Sequence, residues 1–487
     1  MDTDYAAPYR GRATPMPDDA ISAANAKRIL NATCISYVVV LLDTSIVNVA
    51  LEPLARAFDV QMTGLQWVIN AYTLMFASLL LTGGTLGDRW GAKRGYLAGL
   101  LIFMMASLGC ALSVSPSMLI AARALQGIGA ALLVPCSLKL IHQATPDSAE
   151  RARAIGRWVG LGGVALAAGP LVGGVLIHWL GWRSIFFVNV PVCLVGAVMA
   201  GRIAVSLPVS TGSPTPRVPP VSPAKSATRV DLHGLIAGMV ALATLIGVLI
   251  EGHALGWTSA WIVGGAVVSA LAWLALLRIE ARHAHPMLPL SLFRSGVFTG
   301  STAASMASAF VFYGLLFVVS LHFQQVRGYS ALETGMALLP MTVMVAIGSL
   351  TAGRLANRFG PVRPMLSAFT AYAAGALGLA FVTADVPYAF AVLPMLAIGA
   401  ASGVVSPIAT APALQTVAPT RAGVAAAVLN TARQAGAALG VAIFGSLVGA
   451  ASSAETGLYA ALGLAAGVSL SMVPVWRRAL RRQGEGD

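Results

Sequence analysis

GGTLGDRWGAKR, residues 83–94, and AGRLANRFGPVR, residues 352–363, are two copies of one stretch in a chain of 487 residues. Gly84, Leu86, Arg89, Gly91 and Arg94 of the first correspond to Gly353, Leu355, Arg358, Gly360 and Arg363 of the second, an offset of 269. A further pair repeats at nearly the same interval: Gly127 and Pro135 against Gly399 and Pro407, an offset of 272. Around these copies the chain is apolar. It is 57% hydrophobic and 10% charged, with a mean hydropathy of +0.79, whereas soluble domains carry roughly 25% charged residues.

A bilayer core of about 30 Å takes about 20 mostly apolar residues per helix. Fourteen such windows run from Ile29 to Val475 as continuous blocks rather than alternating strands, which favours helices over a lipid-embedded barrel. The expected fold class is an all-α polytopic membrane protein. Two parallel repeats are the sequence sign of a secondary transporter whose bundles rock about a central site. The offset exceeds six helices by about two spans, so two helices read as an insertion. The expected organisation is a disordered cytoplasmic tail (1–28), a six-helix bundle (29–205), a Pro/Ser-rich cytoplasmic linker (206–230) and two inserted helices (231–280). A cytoplasmic loop (281–296), a second six-helix bundle (297–475) and a basic cytoplasmic tail (476–487) complete it.

Of the 31 Lys and Arg, three fall on the outside (Arg56, Arg183, Arg327) and two within helices (Arg123, Arg433) if the N-terminus is cytoplasmic, leaving 26 on cytoplasmic loops and tails. That bias predicts an inner-membrane protein with both termini cytoplasmic. It also accounts for the net charge of +13 without nucleic acid. Cys34, Cys110, Cys136 and Cys193 lie in helices without metal-ligand spacing and read as packing residues. His283 and His285 are too few for a metal site.

Asp43, in LLDTSIVNVALEP, and Arg123 are deep charges. Arg123 lies about 9 Å from the outer end of its helix and Asp43 about 10 Å from the same surface, at 1.5 Å per residue. Intramembrane ionisable groups cost at least about 2.5 kcal/mol each, so two at one level are expected to face inward, paired or linked through Gln126. A fixed structural ion pair is the alternative to a working one. Their counterparts in the second half are Phe312 and Met395, so the duplicate carries neither charge. A carboxylate's proton affinity depends on access to water and on the distance of a guanidinium, so movement of the bundles would load and unload a proton. Glu52, near the outer surface, reads as a solvated helix-end charge.

The motifs resemble those of the major facilitator superfamily, in its fourteen-spanner drug:proton antiporter branch, over about residues 30 to 475. The resemblance is carried in order by LDTSIVNVAL, GTLGDRWGAKR, ARALQGIGAA, AAGPLVGGVL, WRSIFFVNVP, VDLHGLIAG, LHFQQVRGYSALETGMALLP and LNTARQAGAALGVAIFG. It implies two pseudo-symmetric six-helix bundles with two additional helices between them, and proton-coupled export of drug-like or antibiotic amphipathic molecules. Gly84, Gly87, Asp88, Arg89, Gly91, Arg94 and Arg358 would form a gating loop that links helix ends across the two-bundle interface, weakened in the second copy by Asn357. Gly169, Pro170, Gly173 and Gly174 match the antiporter motif, implied to seal that interface; close helix packing explains the glycines alone.

Candidate substrate-lining residues are Asn48, Asn70, Tyr72 and Gln126 in the first half. In the second they are Phe310, Tyr313, Phe317, Gln324, Asn430 and Gln434. Aromatics with a few amides suit an amphipathic ligand; Trp67 and Gln325 serve equally as interfacial anchors. With one clear buried acid, the expected substrates are neutral or monovalent. No cofactor is expected beyond the proton gradient, and the expected partners are substrate, protons and lipid, with a monomer sufficient. An exporter of the cell's own metabolite uses the same machinery. An enzyme is disfavoured, since GxxxxGK[ST], HExxH and GxSxG are all absent, and a channel is disfavoured because one acid–base pair is not a charged ring.

Overall fold

The computed structural model describes residues 17–145, 147–201, 231–283, 286–382, 385–418 and 421–484. The expected linker, the start of the N-terminal tail and the last residues of the basic tail lie outside the described residues. The described chain is all-α, without a strand. The first half comprises α1 (Asn25–Phe58), α2 (Met62–Trp90), α3 (Ala92–Ala111), α4 (Pro116–Ala144), α5 (Ala149–Leu180) and α6 (Ser184–Gly201). A hairpin of α7 (Leu232–Leu255) and α8 (Ala260–Arg282) follows. The second half comprises α9 (Gly296–Val326), α10 (Ala331–Phe359), α11 (Val362–Leu379), α12 (Ala389–Gln415), α13 (Ala422–Ala450) and α14 (Ala454–Leu480). Thirteen of these are long and apolar enough to span a bilayer. The other, α11, is an 18-residue helix with Arg363 and Pro364 in its first turn, packed between α12 and α14.

Local chemistry sets the helix ends. Asp147, Asp231, Ser115, Ser259 and Ser295 accept hydrogen bonds from backbone N–H groups of the first turns of α5, α7, α4, α8 and α9, satisfying donors that a helix leaves orphaned. Ser330 and Glu333 form a reciprocal capping box at α10. The repeated loop motif acquires a backbone reason. Gly91 and Gly360, equivalent in the two copies, end α2 and α10 at φ +86° and +72°, where an L side chain is strained.

The packing obeys the same two-fold repeat. Pairs α1–α5, α2–α4, α3–α4 and α3–α6 in the first half recur as α9–α13, α10–α12, α11–α12 and α11–α14 in the second. Small residues let these helices approach, since apolar lipid gives little hydrophobic drive between them. A Cβ on Gly127 would overlap the carbonyl of Tyr72, and one on Gly399 that of Met341; residues 72 and 341 are again 269 apart. The halves meet along α2–α13 and α5–α10, themselves an equivalent pair. The α7–α8 hairpin lies outside this arrangement. Its α7 packs on α2 and α13 together through Ile246, Ile250, Leu74, Ala438 and Ala442, with Trp67 Nε1 donating to Glu251 across 2.8 Å. Trp67 therefore anchors the hairpin. The four cysteines are free and buried.

Candidate functional site

Here "outer" denotes the side away from the Lys- and Arg-rich loops. Helix α1 carries Asp43 at the boundary of an apolar core, and α4 brings Arg123 to meet it. Both are buried, at 0% and 1% exposure, and Arg123 Nη1 donates to Asp43 Oδ2 across 2.5 Å. The other carboxylate oxygen, Oδ1, accepts from Gln126 Nε2 at 2.8 Å and from Asn189 Nδ2 at 2.9 Å. Ser107 on α3 accepts from both of these amides. The guanidinium also donates to Gln126 Oε1 at 2.6 Å and to the Val68 carbonyl at 3.1 Å, and it lies 4.4 Å from the centre of the Tyr72 ring.

The carboxylate of α1 thus accepts from α4 and α6, while Val68 of α2 and Ser107 of α3 accept from those donors in turn. Both oxygens accept hydrogen bonds, Oδ1 two and Oδ2 one, so the carboxylate is fixed in place by its donors. A pair so fully satisfied escapes most of the penalty of a buried charge. Asn189 belongs to this cage but was not among the candidate residues. Its signal is an unpaired amide in the otherwise apolar run SIFFVNVPVC.

Beside the pair is a narrow central cleft lined by Thr44, Asn48, Ile69, Tyr72, Arg123, Tyr313, Gln434, Ala437 and other residues of both halves. Four expected lining residues, Asn48, Tyr72, Tyr313 and Gln434, meet there. Others do not. Phe317 is completely buried in the core and Phe310 stacks edge-on against Phe444 at 5.1 Å, so both pack helices. Gln126 serves the Asp43 cage. Asn70 is fully buried with neither amide atom bonded, and Asn430 accepts from Arg433.

Gln324 belongs instead to a seal on the outer side. Its Oε1 accepts from the Glu52 backbone N–H at 3.2 Å, and Ser320 Oγ donates to the Asn48 carbonyl at 2.7 Å. Glu52, at the helix end near the surface, pairs with the exposed Arg56 at 2.7 Å and accepts from Gln325 at 3.3 Å. On α5, Gly169 and Gly173 lie against Ser45 and Ile46 of α1, while Gly174 meets Ala331 across the halves. A Cβ on Gly335 would overlap the Pro170 carbonyl. Thr342 Oγ1 donates to the Ala167 carbonyl at 2.9 Å. Further toward the basic loops, Gly160 and Gly163 have no atom within 4 Å of a Cβ position. The glycine motif therefore packs the halves together on the outer side, whereas toward the basic loops α5 stays packed on α1 through Gly162 and Trp158 against Tyr37 and leaves Gly160 and Gly163 uncovered. The gating-loop residues act within one half here: Asp88 pairs with Lys139 on α4 and Lys93 reaches the Gly201 carbonyl on α6, while Arg89, Arg94 and Arg358 are exposed.

Gly335→Leu is expected to prop this seal open. Overpacking costs about 1–3 kcal/mol, and 1.4 kcal/mol shifts a two-state population about tenfold. A membrane-impermeant thiol reagent added outside should then label Thr342→Cys about tenfold faster with Gly335→Leu present; equal rates would argue that the contact is not a gate.

The sequence profile described as the Major Facilitator Superfamily matches residues 33–232 and 221–441. The chain belongs to the Major Facilitator Superfamily. Within that superfamily its relatives include proteins named for antibiotic resistance, multidrug resistance and drug efflux. It is 36% identical over 450 residues to the methylenomycin A resistance protein of Bacillus subtilis, covering 92% of this chain and 93% of that one. It is 35% identical over 425 residues to the multidrug resistance protein Stp of Mycobacterium tuberculosis, covering 86% and 75%. The crystal structure of the POT family transporter PepTSo shares its fold, with a TM-score of 0.67 at 14% identity over 95% of this chain and 99% of that one. This superfamily member is therefore a multi-pass transporter of the drug-efflux branch.

Proposed function

We propose that this protein exports amphipathic, drug-like or antibiotic molecules through the inner membrane in exchange for protons, by alternating access. The observation that carries the reading is the Asp43–Arg123 pair, buried between helices yet contiguous through Arg123 and Tyr72 with a cleft shared by both halves. A molecule entering that cleft meets the guanidinium that holds the carboxylate. Ligand and proton then act on one group, and two ligands that favour opposite states of it must antagonise each other. The outer seal, with Gly160 and Gly163 of α5 uncovered toward the basic loops, supports an inward-facing arrangement, ready for cytoplasmic substrate. The resistance functions named for the relatives support the substrate class, and the energy source is the proton gradient, with no cofactor.

Energised inside-out vesicles containing the protein are expected to accumulate members of a panel of amphipathic antibiotics, and a protonophore is expected to abolish the accumulation. Accumulation that survives the protonophore would overturn proton coupling. Vesicles that accumulate nothing from the panel would overturn drug export.

A further inference from the structure

Arg433 is the second intramembrane cation, and it lacks what Arg123 has. About eleven residues into α13, it lies some 16 Å from the cytoplasmic end at 1.5 Å per residue. Among the described residues it forms no ion pair. Its Nη1 donates to Ser406 Oγ on α12 at 2.8 Å, and its Nη2 donates to Asn430 Oδ1 one turn below. These two neutral acceptors fix the guanidinium but leave most of its five N–H donors available. An unpaired cation inside a membrane is costly and characteristically faces a water-filled cavity or a substrate path. Arg433 fits that expectation. It is half-buried rather than sealed, and it lies within electrostatic range of Tyr37 on α1 and Tyr313 on α9.

Its surroundings bear on a ligand. Tyr313 and the adjacent Gln434 both line the central cleft. Tyr37, half-buried, stacks on the buried Trp158, with ring centres 3.6 Å apart and planes 14° apart. Tyr72, buried in the same cleft at 1% exposure, has a hydroxyl without a hydrogen-bond partner of good geometry. The cleft thus presents the Tyr313 ring and the Tyr72 hydroxyl, Arg433 directly precedes its lining residue Gln434 in the chain, and the buried carboxylate of Asp43 is spent on Arg123.

The geometry points to Arg433 as the binding site for an anionic group, a carboxylate or another singly charged oxyacid, on the exported molecule. This rests on the export reading and narrows it. Arg433 takes the acid from the cytoplasmic side, the half-buried rings of Tyr37 and Tyr313 take its apolar body, and a dication is repelled. Planar guanidinium suits a two-oxygen anion better than ammonium does, so lysine should replace it only in part.

The test uses matched probes: 1-pyrenebutyrate, its uncharged methyl ester and the corresponding trimethylammonium cation, titrated by fluorescence into the purified full-length protein in lipid nanodiscs. Wild type should bind the carboxylate at least about tenfold more tightly than the ester and bind the cation weakest. Arg433→Gln should remove the preference without weakening ester binding, and Arg433→Lys should retain part of it. Equal binding of acid and ester by wild type, or a preference that survives in Arg433→Gln, would overturn the site. The ester is the folding control within each variant. Transport in vesicles separates this result from the export reading. If wild type exports neutral compounds but shows no Arg433-dependent preference, only the anion site fails; if the preference stands and nothing is exported, only the export reading fails.

Discussion

Asp43→Asn is expected to abolish accumulation driven by a proton gradient, reducing it to the level of protein-free liposomes, while the protein still folds. Asparagine fills the same volume and can still accept one hydrogen bond from Arg123. It cannot carry a proton. Its amide would also place a donor against the side-chain amides of Gln126 and Asn189, which both now donate to Asp43 Oδ1. One contact must rearrange, at a cost of about 1–3 kcal/mol for a polar group left unpaired, well short of the usual stability of a folded domain. The measurement is uptake into liposomes with an imposed gradient, compared with exchange of labelled for unlabelled substrate without one. Uptake that persists in the variant would show that another group carries the proton.

Arg123→Leu is expected to have the largest effect on stability. The variant leaves Asp43 completely buried with only two amide donors, and breaking a buried pair from one side costs about 3–5 kcal/mol. The leucine fills less volume and also loses the contact with the Tyr72 ring. The double variant Asp43→Asn, Arg123→Leu removes the stranded charge as well as its partner. It should recover most of the loss, so the two substitutions should be non-additive by about 3 kcal/mol in a double-mutant cycle. Thermal unfolding in one detergent gives all four corners. Additive effects would mean that the two side chains do not depend on each other.

These two residues were legible in the sequence for a physical reason. A charge inside an apolar run stands out, and helix rise alone puts Asp43 and Arg123 at one depth. The duplication was legible because close approach and left-handed turns admit only glycine, as at Gly127, Gly399, Gly91 and Gly360. Where reading failed, the information lay in how helix faces meet. Phe310, Tyr313 and Phe317 share one face of α9, yet only Tyr313 reaches the cleft. Phe444 shoulders Phe310 aside and Phe317 lies within the core toward the closed outer side. Gln324 and Glu52 read as a lining residue and a free charge because nothing in the sequence says that α1 and α9 touch there. Asn189 was missed because an amide near a helix start is ordinary until three other helices are seen to converge on it. Arg433 was visible as a charge, but its lack of a carboxylate partner became apparent only with α12 and α13 in place.

In the proposed exchange, ligand and proton compete for the Asp43–Arg123 pair. The most direct test is proton release from purified protein in a lightly buffered solution, followed with a pH dye as a transported compound is added. At a pH where part of the population carries the proton, wild type should release up to one proton per molecule bound, in proportion to that protonated fraction, as linkage requires when binding favours the unprotonated carboxylate. Asp43→Asn should bind and release none. Binding by wild type without proton release across the whole pH range of activity, or equal release by Asp43→Asn, would show that Asp43 does not couple the two.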